Sequence, residues 1–120
     1  FPIQNTTNNG NNEGTIVSQG KVQGKVKIVR TLEEADKLEK GDIMVCEYTD
    51  IGWSPYFAII GGIITEIGSP LSHGAVVARE YGIPAIVNLN GAMNKFKDNQ
   101  EVLIDTSQEE VVSLMTDLNV

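Results

Sequence analysis

His73 is the only histidine among 120 residues, and it follows Ser72 directly in the run "GSPLSHGAVV", residues 68–77. Ser is a good N-cap, so this order predicts that a helix begins at Ser72 and that His73 lies in its first turn. The unpaired amides of a first turn, with the helix dipole behind them, favour an anion. The same positive end favours the neutral ring, which is the form that attacks as a nucleophile. A phosphoryl group attached to His73 meets both conditions. Gly74 has no side chain to obstruct a bulky partner, and Gly68, Ser69 and Pro70 form a tight turn that delivers the chain to the helix start. The plain alternative is an idle, solvent-facing histidine, which local spacing alone leaves open.

Other residues support this centre less directly. Ser72 reads first as the helix cap, with a hydroxyl that could also touch phosphoryl oxygens. Glu66 and Thr65 end the preceding strand, where a carboxylate could orient the ring and a solvated strand end is the competing reading. Thr49 and Asp50 close an earlier strand, on the same sheet edge if the strands are parallel. Arg79 lies six residues after His73, so on a straight helix it points away and reads as structural or docking rather than as a phosphate ligand. Trp53, Tyr56 and Phe57 fit core or domain-docking contacts. Cys46, in "DIMVC", is the single cysteine and reads as a small buried apolar residue. One Cys and one His cannot complete a four-ligand zinc site, and no metal site is expected.

The elements that must hold these residues follow from pattern. "TIVSQGKVQGKVKIV" predicts two strands, about 15–18 and 24–30. "TLEEADKLEKG" predicts a short helix with Thr31 as N-cap, Glu34 completing a capping box, a buried stripe of Leu32, Ala35 and Leu38, and Gly41 closing it. "DIMVCE" and "GGIITEI" are strands, and "GWSPYFAII" a short helix with Pro55 in its first turn. "SHGAVVAREYG" is a helix ended by Gly82, followed by strands "PAIVNL" and "EVLIDT". "NGAMNKFKDNQ" is a loop with a helical turn. In the tail, Ser107 and Glu110 favour a helix while Val111 and Val112 favour a strand. Strands alternating with short helices imply an α/β domain with a covered sheet.

Residues 1–14, "FPIQNTTNNGNNEG", are rich in Asn, Thr and Gly and read as a flexible lead-in or linker, with the domain proper at 15–120. The chain begins with Phe rather than Met, which suggests a piece of a longer protein. Hydrophobic content is 41% and net charge −7, ordinary for a globular domain and unsuited to a phosphate backbone, so no nucleic-acid partner is expected. No apolar run approaches a membrane span and no signal peptide is visible, so a cytoplasmic location without membrane attachment is expected.

The stretch "GGIITEIGSPLSHGAVVAREYGIPAIV" resembles the phosphohistidine signature of the mobile domain of phosphoenolpyruvate-utilising enzymes. Gly68, Ser72, His73, Gly74, Ala75, Ala78, Arg79, Gly82, Ile83, Pro84 and Ala85 match its pattern. The resemblance continues through "GDIMVCEYTDIGWSPYF" and "NQEVLIDT", and is nearest to the phosphoenolpyruvate synthase and rifampicin phosphotransferase branch. It implies a swivelling β/β/α domain in which His73 carries phosphate, with Ser72, Gly74 and Gly68 in support. It also implies partner domains of the same enzyme: one that binds ATP with magnesium, and one that holds the acceptor, pyruvate or another substrate. No cofactor is expected on this domain itself. Two residues depart from the pattern. Ser69 replaces the second glycine of a Gly-Gly pair, where Gly would allow an unusual backbone angle or a close approach. Leu71 stands where dikinases often have Thr, a regulatory phosphorylation target in the plant enzymes, so that control is not expected here. A non-catalytic interaction module of the same fold is the competing reading.

Overall fold

The computed structural model describes residues 14–108 and 111–116; the expected lead-in therefore lies almost wholly outside the described residues. Four short strands form one side of the sheet: β1 (Thr15–Ser18), β3 (Ile43–Cys46), β4 (Gly62–Thr65) and β5 (Ala85–Val87). The longer β2 (Lys21–Ile28), β6 (Glu101–Gln108) and β7 (Val111–Thr116) extend the sheet on one side. The order is β1-β5-β4-β3-β2-β6-β7. β2, β3, β4 and β5 run parallel, while β1 adds antiparallel to β5 and β6 adds antiparallel to β2. This is the α/β, swivelling β/β/α arrangement expected from the sequence.

The strands "IMVC", "GIIT" and "AIV" are buried throughout and almost wholly apolar because both faces of the sheet are covered. Alternation then sorts their side chains. Met44, Cys46, Ile63, Ala85 and Val87 point to a core shared with Trp53, Phe57, Ala75 and Ala78. Ile43, Val45, Ile64 and Ile86 point to the opposite core, with Val102, Ile104, Leu89 and Phe96. β2 joins the two halves: Lys21–Lys25 pair with β6, and Val26–Ile28 pair with β3. That is why β2 starts earlier than the predicted 24–30; its first residues are extended by a partner eighty positions away in the chain. The tail pairs with β6 as a strand, so the β-branched residues prevail over the capping signal.

Helix α1 (His73–Tyr81) covers the first core with Ala75 and Ala78 and ends at Gly82, whose φ of 71° is left-handed. A one-turn helix α2 (Ala92–Lys95) lies in the predicted 90–100 loop, where a helical turn was expected. The two other predicted helices are 3₁₀ rather than α: Leu32–Lys37 and Ile51–Ala58. In the first, Thr31 Oγ accepts from Glu34 N–H as expected (3.4 Å), but the Glu34 carboxylate reaches back to Arg30 N–H (2.8 Å) rather than to Thr31. Ala35 and Leu38 are buried, whereas Leu32, expected in the same stripe, is 41% exposed. It lies beyond the sheet against Gly52 of the second 3₁₀ helix. That second helix starts four residues before Pro55, because Asp50 Oδ1 accepts from Gly52 N–H (3.1 Å) and caps it there.

Candidate functional site

β3 and β4 are parallel neighbours in register Cys46↔Thr65, so the segments that follow them emerge at one edge of the sheet. In parallel sheets, ligands gather beyond these carboxyl ends. After β3 the chain runs through Thr49 and Asp50 into the second 3₁₀ helix; after β4 it runs through Glu66 and the 68–72 turn into α1. His73, the first residue of α1, lies where the two segments converge.

Both nitrogens of the half-buried imidazole have partners. Nδ1 shares a 2.8 Å hydrogen bond with Thr49 Oγ1, and Nε2 shares a 3.2 Å one with Ser54 Oγ. The buried Phe57 ring meets the imidazole edge-on, at 6.0 Å and 84°. Ser54 and Phe57 are three residues apart and so lie on one face of a 3₁₀ helix; both touch His73. His73 is of intermediate burial because the second 3₁₀ helix packs against it through Ser54 and Phe57.

The remaining candidates sort by contact. Thr49, a weak candidate by sequence, is 8% exposed and holds the ring. Gly74 is required by that same threonine, since a Cβ at position 74 would stand 3.0 Å from Thr49 Oγ1. Gly68 is required by crowding: a Cβ there would meet Val87 Cβ at 3.0 Å and Ser72 Oγ at 3.2 Å. Ser72 occupies the N-cap position, but its hydroxyl makes no capping bond to the helix. Instead it donates to Ser69 O (2.8 Å) and accepts from Ser69 N–H (3.3 Å), closing the turn on itself. The first-turn amides of α1 are thus left uncapped by a side chain, contrary to the expected capping role.

Arg79 is structural, as its position suggested. Its guanidinium donates to Val17 O (3.0 Å) and Pro70 O (2.8 Å), fastening the turn to β1. Glu66 does not orient the ring; its carboxylate accepts from Met93 N–H (2.9 Å) at α2. Ser69, the departure from Gly-Gly, sits comfortably: among the described residues only Asn88 and Asn99 are non-glycines with positive φ, and Ser69 Oγ accepts from Leu71 N–H (3.2 Å). Cys46 is buried, and burial first, then the charges of Glu66 and Glu47, push its thiol up to about 12, so it offers no thiolate. Ser54 was not singled out from the sequence. The available signal was its three-residue spacing from Phe57 in a segment returning from the same sheet edge as Thr49.

Residues 38–109 match the family described as PEP-utilising enzyme, mobile domain. The chain belongs to this family. It is 45% identical over 91 residues to a rifampicin phosphotransferase of Bacillus cereus, covering 76% of this chain and 10% of that protein. It is 44% identical over 96 residues to a phosphoenolpyruvate synthase of Aeropyrum pernix, covering 79% and 12%. The chain therefore spans about a tenth of the length of these curated relatives. Its fold is similar to the solution structure of Enzyme I, with a TM-score of 0.54 at 23% identity over 66% of this chain and 33% of that one. Among the described residues no helix is long and apolar enough to cross a membrane, and no group of three or more His, Cys, Asp or Glu could hold a metal ion.

Proposed function

We propose that this domain carries a phosphoryl group on Nε2 of His73 between sites on other domains of a multidomain phosphotransferase. The observation behind this is the asymmetry of the ring. Nδ1 is held by a buried threonine in the segment that follows β3, whereas Nε2 meets the hydroxyl of the half-buried Ser54 on the second 3₁₀ helix. With Nδ1–H donating to Thr49, the Nε2 lone pair is directed outward for attack. The lone pair forms the N–P bond as the P–O bond of the donor breaks, and its electron pair leaves with the donor's oxygen. The first-turn amides of α1, which carry no side-chain cap, would favour the charge of a phosphoryl group attached there.

The family and the names of the relatives support ATP or phosphoenolpyruvate as donor, and pyruvate or a hydroxyl on a larger molecule as acceptor. ATP and magnesium belong, on this reading, to a partner domain, and the acceptor to another. The domain supplies the carrier and no complete site of its own. A soluble, cytoplasmic enzyme is the setting that fits this chemistry.

The test is labelling of the full-length enzyme with ATP carrying 32P on its β and γ phosphates, and separately with 32P-phosphoenolpyruvate. Acid-labile, alkali-stable label is expected, lost in His73→Ala, with a phosphorus NMR signal of the Nε2 isomer. Label retained in His73→Ala, or located on Nδ1, overturns the assignment. No label from either donor supports the non-catalytic module instead.

A further inference from the structure

We propose that Ser54 is a second functional hydroxyl of this site. It covers Nε2 while the domain is unloaded and donates a hydrogen bond to the phosphoryl group once loaded, thereby setting the lifetime of the phosphohistidine. The inference rests on the reading of His73 as the phosphate carrier.

The geometry carries it in three steps. First, Ser54 Oγ stands 3.2 Å from Nε2. When Nδ1–H donates to Thr49, the Ser54 hydroxyl is the donor to the Nε2 lone pair. It therefore favours the tautomer that leaves the lone pair on the nitrogen facing outward, and at the same time occupies that lone pair. Second, a phosphorus atom bonded to Nε2 cannot be placed between two atoms 3.2 Å apart, so the hydroxyl must leave this position on loading. A serine does so by turning about a single bond between staggered wells, and Ser54 is only half-buried. Third, the turned hydroxyl remains on the face of the 3₁₀ helix that packs on the imidazole through Phe57. From there it reaches one of the new phosphoryl oxygens, a charge-assisted bond. Thr49 keeps Nδ1 throughout, so the ring stays in place while Ser54 exchanges one partner for the other.

This predicts a shorter lifetime of the loaded group. In Ser54→Ala the phosphoryl group loses a donor. Hydrolysis, in which water attacks phosphorus and the N–P electron pair returns to Nε2, is then expected to be faster by about tenfold, the worth of one hydrogen bond to a charged group.

The experiment uses the full-length enzyme, loaded with 32P-phosphoenolpyruvate, freed of small molecules and followed for loss of label at neutral pH. A shortened lifetime in Ser54→Ala with an unchanged melting temperature supports the proposal. Ser54→Cys, close in size and a weak donor, is expected to fall between the two, and serves if the alanine variant does not fold. In the unloaded enzyme, the nitrogen NMR signals assigned to His73 should show Nε2 moving in Ser54→Ala while Nδ1 stays. A wild-type lifetime in both folded variants overturns the assignment of Ser54 and leaves His73 intact. A wild type that accepts no label from phosphoenolpyruvate or from ATP overturns both.

Discussion

On the proposed reading, Thr49 decides which end of the imidazole is available. Its Oγ1 lies 2.8 Å from Nδ1 and also sets the space that Gly74 must leave open. Thr49→Val keeps the shape and removes the hydroxyl. We expect single-turnover loading of His73 to slow by about tenfold, the worth of one neutral hydrogen bond, with the fold retained; rapid-quench labelling measures it. A rate equal to the wild type would mean that the tautomer is set elsewhere. At this scale the sequence was partly readable. His73, Gly74 and Gly68 could be placed because helix starts and glycines have local signatures. Thr49 could be named only as a residue at the same sheet edge, and Ser54 was missed. Both come to His73 from 19 to 24 residues away, and no local pattern encodes such a contact. The misreading of Ser72 has a similar cause: a serine before a helix has several acceptors and donors in reach, and here the turn at Ser69 outcompetes the helix amides.

Among the elements, one carboxylate joins three segments. Asp98 Oδ1 accepts from Ile28 N–H at the end of β2 (2.7 Å), and its other oxygen pairs with Lys37 of the first 3₁₀ helix (3.3 Å). Desolvation alone would raise its pKa, but the Ile28 N–H bond, Lys37 and Arg30 together outweigh it and hold the carboxyl below its ordinary 3.8. A carboxylate depressed in the folded state stabilises the fold above its unfolded pKa and loses that contribution as pH falls through the folded one. Asp98→Asn is therefore expected to be less stable than the wild type by a constant margin above about pH 5, and the margin should shrink below about pH 4. Urea midpoints between pH 7 and 3 measure it; a margin that grows on acidification would contradict the direction. Element order and type were mostly legible, because apolar runs and Gly82 are strong signals. The 3₁₀ character of two helices was not: segments of six and eight residues take their winding from what they pack against rather than from propensity.

Across the whole molecule, one sheet separates two cores that share the same strands, so each strand residue belongs to one face while its neighbour belongs to the other. Ile64 is fully buried in the core with Val102 and Ile104, and Trp53 reports on the other core. Ile64→Ala is expected to cost roughly 3 kcal/mol. Trp53 fluorescence and far-ultraviolet circular dichroism should then shift together in denaturant. A Trp53 transition left unmoved would mean that the faces unfold independently. The α/β class was readable from alternating elements, but the attachment of β6 to β2 was not, since nothing local in either strand names its partner. The fastening by Arg79 has a mechanical meaning. β1 lies along β5 in shear and is tied by Val17 O to the guanidinium that also grips Pro70 O. A pull entering the domain at Thr15 is thus resisted along the strand pair and passed through one side chain to the turn just ahead of His73. If the domain is swung by the chain that precedes it, the traction reaches the corner that holds His73 directly, and Arg79 is the link in that load path.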